Sequence, residues 1–218
     1  MTTYTLDNTT ATTVPAVPRR RTLVLLAVTF VAVFVAALAT SAENEPDSSL
    51  ATIESAYDQS RMAMMLASYV GMAACAVLVF FGVAVRSALR GRRPTWTADV
   101  AMLGFVIVAL TIASWIVSGL AVWHAVDQGE DASVRTLNFV DTSNFLPLMT
   151  GMICVYIGTG TAGLMSGTLP RWLAVASIVI GILAPLGPVA FAPAVLLPIW
   201  LVLVSALVRV GEPAPDPS

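Results

Sequence analysis

Long apolar runs separated by short polar links dominate this chain of 218 residues. Apolar residues make up 57% of the composition and charged residues 11%, less than half of the roughly 25% that soluble domains carry. A run of about 20 apolar residues, folded as a helix, is long enough to cross the hydrocarbon core of a bilayer. The pattern therefore predicts an all-α fold, a polytopic transmembrane helical bundle.

Six membrane spans are predicted within a transmembrane domain of residues 22–210. They lie at about 22–40, 62–85, 99–123, 144–166, 171–184 and 190–210. The last two are separated because the apolar sequence from Trp172 to Val208 is too long for one span and is interrupted by Pro185, Gly187 and Pro188. Residues 1–21 and 211–218 lack hydrophobic periodicity and are predicted to be disordered cytoplasmic tails. In the link 41–61, Leu50, Ile53 and Tyr57 recur at helical spacing, which predicts a short helix running on into the second span.

The first apolar run has a second interpretation, as a signal peptide. It follows three arginines, Arg19 to Arg21, and small residues near Ala39 and Ala42 fit a cleavage site. The run is longer than the apolar core of about 7–15 residues found in signal peptides, which favours an uncleaved anchor. Cleavage would leave five spans and the same downstream topology.

The arginines predict the orientation, because short cytoplasmic links are enriched in basic residues. One side of the predicted topology carries Arg19, Arg20, Arg21, Arg86, Arg90, Arg92, Arg93, Arg171 and Arg209, and the other carries Arg61 and Arg135. Both termini are therefore predicted to be cytoplasmic, in a multi-pass protein of the plasma membrane. The acidic links 41–61 and 124–141 then face outward.

Four polar residues near the outer ends of the third and fourth spans form the candidate site: His124, Asn138, Asp141 and Asn144. If these side chains converged, they could form a catalytic group. His124 with Asp127 and Asp141 could form a pH-sensitive or metal-binding site. Their spacing is not that of a metal site, so solvated side chains beside an acidic loop are the favoured interpretation. No catalytic residue, metal ligand or cofactor is predicted. The predicted spans hold no charged residue near the bilayer centre, which argues against ion-coupled transport.

Two stripes of small residues predict close helix packing. The second span carries Ser68, Gly71, Cys75 and Gly82, and the fourth span carries Gly151, Cys154 and Gly158. We expect these stripes to face each other, so that the second and fourth spans are neighbours. The alternative is a polar-lined cavity along Thr150, Tyr156 and Thr159 of the fourth span.

Several short motifs resemble those of a group of small actinobacterial six-span membrane proteins of unknown function. The motifs are Leu169-Pro170-Arg171-Trp172-Leu173, Gly181 before a proline break, Pro198-Ile199-Trp200, and Asp141, Asn144 and Pro147 at the start of the fourth span. The usual member continues the first motif with Gly-Trp, where this chain has Ala174 and Val175. The resemblance implies six helices and a plasma-membrane location, and it carries over no activity.

The function class that fits these observations is a non-enzymatic accessory or sensory membrane subunit. Its expected contacts are membrane lipid and either a membrane-protein partner or further copies of itself; nucleic acid is not expected. The main alternative is a small oligomeric transporter or lipid-handling protein for an apolar or amphipathic substrate. An enzyme is a third interpretation, and the outer polar cluster is the only group that could serve it.

Overall fold

A computed structural model describes residues 19–38, 48–57, 61–90, 96–143, 145–186 and 191–209, and all regular secondary structure within these ranges is α-helical. The helices are α1 (Arg20–Leu38), α2 (Leu50–Tyr57), α3 (Arg61–Arg90), α4 (Trp96–Gln128), α5 (Asp131–Ser143), α6 (Phe145–Ser166), α7 (Arg171–Leu183) and α8 (Phe191–Leu207). The predictions for residues 1–18 and 210–218, for cleavage near residue 40 and for a continuous helix through residue 60 lie outside the described residues.

Three helical segments are long and apolar enough to cross a membrane, as judged over the described part of the chain. They are Met62–Arg90 with 29 residues, Trp96–Gln128 with 33 residues, and Asp131–Ser166, which comprises α5 and α6. Shorter apolar helices follow at Arg171–Leu183 and Ala192–Leu207. These helices indicate a membrane protein.

The link predicted at 124–141 is helical, which corrects its interpretation as a polar loop. α4 continues to Gln128 and ends at Gly129, whose positive φ of 70° allows the chain to leave the helix. The amide of Glu130 then donates to the Ala125 carbonyl, and that of Gly129 to the Val126 carbonyl, which is the Schellman arrangement of a helix end. α5 begins two residues after this glycine. It forms because its buried residues recur at helical spacing. A search for long apolar runs does not detect this pattern.

Two ends of the helix bundle are distinguished by charge. At the arginine end, where α3 ends and α4 begins, Arg86 Nε lies 2.5 Å from Asp99 Oδ1 and an Arg90 terminal nitrogen lies 2.7 Å from the same oxygen. The amide of Arg209, after α8, donates to the Thr168 carbonyl in the turn after α6 at 2.8 Å. At the opposite, acidic end, α2 and α5 pack against the last turns of α4.

The glycines of both stripes pack against α4 and not against each other, although α3 and α6 are also in contact, as expected for neighbouring spans. A Cβ on Gly71 would lie 2.6 Å from Ile116, and one on Gly82 would lie 2.8 Å from Phe105. On α6, a Cβ on Gly158 would lie 2.6 Å from the Ala101 nitrogen. α4 thus lies between most of α3 and α6. A glycine allows close approach of any neighbouring helix backbone. The spacing of the small residues therefore predicted close packing but did not identify α4 as the helix that packs there.

The remaining stripe residues also have packing roles. Cys154 faces Gly104 of α4, at 2.8 Å from a Cβ built there, and Gly151 meets Val108 on the same helix. Cys75 is buried in the core of the bundle. The Ser68 hydroxyl donates to the Met64 carbonyl of its own helix at 2.8 Å, as serine commonly does inside a helix.

Aromatic side chains from four helices fill the middle of the bundle. Phe81 of α3 packs edge-on against Phe105 of α4, and Tyr156 of α6 packs edge-on against Trp200 of α8, with ring centroids 5.6 and 4.7 Å apart. Phe105 and Trp200 join the two pairs at 6.5 Å. The Tyr156 hydroxyl donates to the Pro193 carbonyl at 2.7 Å, so its one polar atom is paired inside the core.

The predicted polar cavity beside α6 is not formed by the three residues named for it. Tyr156 and Thr159 are completely buried, whereas Thr150 is exposed on the surface of the helix. The hydroxyl of Thr161, on the same helix, donates to the Ile157 carbonyl at 2.6 Å. These polar side chains are therefore divided between a packed interior and the outer surface.

Candidate functional site

The four residues of the predicted outer cluster are found at the acidic end, but they do not form one group. His124 lies on the exposed surface of α4, where its Nε2 is 2.9 Å from the Gln128 amide nitrogen one turn later. Asn138 is buried, at 1% exposure. Asp141 is half-buried against α4. Asn144 lies outside the described residues.

Asp141 joins three helices. Its carboxylate accepts hydrogen bonds from the Ser118 hydroxyl of α4 and from the Tyr57 hydroxyl of α2. Its backbone carbonyl accepts a third bond, from Trp115 Nε1 of α4 at 2.8 Å. Hydrogen bonds to a carboxylate are stronger than those between neutral groups. We refer to Tyr57, Trp115, Ser118 and Asp141 as the Asp141 junction.

An apolar cluster supports this junction and fixes the positions of α2 and α5. Its buried members come from three helices: Ile53 and Tyr57 of α2, Val122 and Ala125 of α4, and Val134 of α5. On α5, Val134, Asn138 and Asp141 recur at steps of four and three, which places them on one helix face. The two short helices are therefore held against the bundle by apolar burial together with the Asp141 hydrogen bonds.

A cleft of about 520 Å³ lies between α2 and the end of α4. Its lining comes from Ala51, Glu54, Ser55 and Tyr57 on α2 and from Trp123, Val126 and Asp127 on α4. This volume is within the range of about 300–1,000 Å³ typical of small-molecule sites. Both charged lining residues are acidic, and both are exposed. Neither forms an ion pair with any other residue that the structure describes. Among those residues, the ion pairs are made by Asp99 at the arginine end.

The arrangement offers hydrogen bonding and charge, but the cluster residues are not assembled for catalysis. Within the described ranges, no three His, Cys, Asp or Glu side chains are grouped so that they could hold a metal ion. The Asp141 carboxylate is directed to Ser118 and Tyr57, and the His124 ring is bonded to Gln128 on the surface. The side chains of His124 and Asp141 therefore have separate partners and do not form one group.

Sequence reasoning missed Tyr57, Ser118 and Trp123 as parts of this end of the molecule. Tyr57 was identified as a helix residue, but its hydroxyl contact to Asp141 spans more than 80 positions of the chain. A signal was present in the spacing of Val134, Asn138 and Asp141, which is that of a helix face. It was hidden because residues 124–141 were interpreted as a loop.

Comparisons with known proteins add no identity or activity to these observations: no protein-family model, curated protein or solved structure matches the chain.

Proposed function

We propose that this chain is a six-span protein of the plasma membrane that acts as a non-enzymatic sensory or accessory subunit, with its acidic end outside the cell. The observation that carries this proposal is the pair of short helices, α2 and α5, held at that end by the Asp141 junction. A bundle that only filled the membrane would need no ordered polar structure beyond its spans. An ordered cap with a cleft supports a role in binding.

Several features support six spans with cytoplasmic termini. The 19 residues of α1 would extend about 28 Å at 1.5 Å per residue, close to the thickness of the hydrocarbon core. α7 and α8 are apolar and shorter, and short helices can be accommodated by local thinning of the bilayer. Trp96 and Trp172 are exposed near the arginine end, where aromatic residues of a membrane interface are expected. The resemblance to the actinobacterial six-span group stays a prediction and is compatible with this topology.

The packed aromatic centre favours the sensory or accessory role over the transporter alternative. Phe81, Phe105, Tyr156 and Trp200 come from four different helices and meet in the bundle interior. Tyr156 and Thr159, which would line a substrate cavity, are buried in this packing. A substrate path through the middle would require these side chains to move apart.

Labelling of single cysteines tests the topology. In a background with Cys75→Ala and Cys154→Ala, the variants Ala132→Cys and Ser218→Cys would be treated with a membrane-impermeant maleimide on intact cells. We expect Ala132→Cys to react directly, because it is exposed on α5, and Ser218→Cys to react only after permeabilisation. Labelling of Ser218→Cys on intact cells would contradict the proposed orientation.

Site-specific photo-crosslinking tests the role. A crosslinking amino acid at Thr136, exposed on α5, would be compared with one at Val195, which is 72% exposed on α8. We expect Thr136 to give a discrete protein adduct in native membranes, either with a second copy of the chain or with another protein. Adducts with lipid only, from both positions, would refute the accessory role.

A further inference from the structure

We propose that the cleft between α2 and α4 binds an organic cation that carries a substituted ammonium group, a site that rests on the proposed outward orientation of the acidic end. The cleft combines two carboxylates with two aromatic side chains in a space of small-molecule size. α2 contributes Glu54 and Tyr57 to the lining, and α4 contributes Trp123 and Asp127. No arginine is among the described lining residues.

The chemistry of the lining selects for charge and for shape together. Aromatic faces attract alkylated ammonium groups through the ring quadrupole, and sites for choline and methylated amines use this contact. Carboxylates from both helices add attraction for a cation and repulsion for an anion. The apolar surfaces of Ala51 and Val126 suit alkyl groups, which a bare metal ion would not use. A substituted ammonium ion satisfies all three surfaces, whereas a metal ion would need more oxygen ligands.

The surrounding charge favours the same ligand. At the acidic end, the residues that the structure describes include Glu54 of α2, Asp127 of α4, and Glu130, Asp131 and Asp141 in and before α5. Arg135 of α5 is the basic residue described on these two short helices. A surface with this excess of acidic residues raises the local concentration of cations and speeds their association.

The buried floor of the cleft links occupancy to the structure of the cap. Tyr57 is only 6% exposed, lines the cleft, and donates to Asp141. A ligand that packs on Tyr57 would therefore stabilise the position of α2 against α4 and α5. This connection gives a sensory subunit a way to report binding, through the order of an eight-residue helix.

Isothermal titration calorimetry with choline tests the proposal. The control ligand is 3,3-dimethylbutanol, a neutral analogue of choline in which carbon replaces the ammonium nitrogen. The full chain would be reconstituted in nanodiscs of phosphatidylglycerol, which contain no choline headgroup. We expect choline to bind about tenfold more tightly than the analogue, a ratio within the range of cation–π and ionic contributions. Equal affinities, or no heat with choline, would overturn the proposal.

Two double variants with the same charge change separate a built site from general surface potential. Glu54→Gln with Asp127→Asn removes both lining carboxylates, and Glu130→Gln with Asp131→Asn removes two acidic groups that do not line the cleft. We expect about tenfold weaker choline binding in the first and less than about twofold change in the second. An equal loss in both would overturn the proposal. Circular dichroism of each variant verifies that the helices are intact.

A second nanodisc preparation, with phosphatidylcholine added, identifies the source of the ligand. Weaker apparent binding of free choline there would indicate that a lipid headgroup occupies the cleft, and unchanged binding would indicate a soluble amine. Both outcomes depend on choline binding in phosphatidylglycerol discs. The cysteine-labelling experiment does not involve the ligand, so failure of cation binding is distinguishable from failure of the proposed topology.

Discussion

Replacing Asp141 with alanine is expected to weaken the attachment of α2 to the bundle while leaving α5 in place. The substitution removes the carboxylate that accepts from Ser118 and Tyr57. It keeps the backbone carbonyl that accepts from Trp115 at 2.8 Å. α5 therefore retains its own bond to α4, and α2 loses the one that its tyrosine makes.

The loss of local stability depends on how many hydrogen bonds the substitution removes and on which partners replace them. A hydrogen bond to a charged group contributes about 1.5–3 kcal/mol. The Ser118 hydroxyl already lies 3.1 Å from the Trp115 carbonyl and can keep that partner. The net cost then falls mainly on Tyr57, and we expect about 2 kcal/mol, equivalent to about a 30-fold increase in local opening.

Hydrogen exchange of the α2 amides, measured by mass spectrometry in nanodiscs, checks this value. We expect protection in Leu50–Tyr57 to fall about 30-fold and protection in Asp131–Ser143 to change less than about threefold. Asp131→Ala is the matched control, since Asp131 is an exposed aspartate of the same helix. Unchanged exchange in α2, or an equal loss in the control, would refute the reasoning.

Three further substitutions test the packing and the arginine end. Gly158→Ala should lower the free energy of unfolding by about 1–3 kcal/mol, because the new Cβ would lie 2.6 Å from a backbone nitrogen of α4. Gly119→Ala is the control: a Cβ there would have no atom within 4 Å, so the substitution should be neutral or stabilising in thermal unfolding. Equal effects of the two substitutions would contradict the close helix contact. Tyr156→Phe should cost about 1 kcal/mol through loss of the 2.7 Å bond to the Pro193 carbonyl, and an unchanged unfolding temperature would argue against that bond. Asp99→Asn should lower the free energy of unfolding by at most about 1 kcal/mol, because the Asp99 side chain is 40% exposed and its two arginine partners are similarly exposed. This loss should shrink in high salt, and a loss that persists there would indicate a buried ion pair.

The sequence predicted the helical fold because lipid-crossing segments are recognised from length and apolarity alone. The break between α7 and α8 was anticipated from Pro185, Gly187 and Pro188, because closely spaced proline and glycine residues disfavour a continuous helix. The number of spans and their orientation stay predictions. Neither length nor apolarity records which helix lies next to which, and so the position of α4 between α3 and α6 was missed.

The candidate site was predicted in part. Asp141 was identified from its position beside a span, but its partners lie on α2 and α4 and are brought to it by tertiary packing. His124 was grouped with Asp141 because both lie near one end of the bundle, yet helical geometry directs its ring to a surface bond with Gln128. Polarity at a helix end identifies where a site could be, and side-chain direction decides which residues belong to it.

The packing of α8 against α1 has a consequence for biosynthesis. α1 finds this neighbour only when α8 has been translated, after more than 150 intervening residues. Until then an insertion factor or lipid has to cover that flank. Chains that terminate before Phe191 should therefore be recognised by membrane quality control, even though α1 to α7 are present.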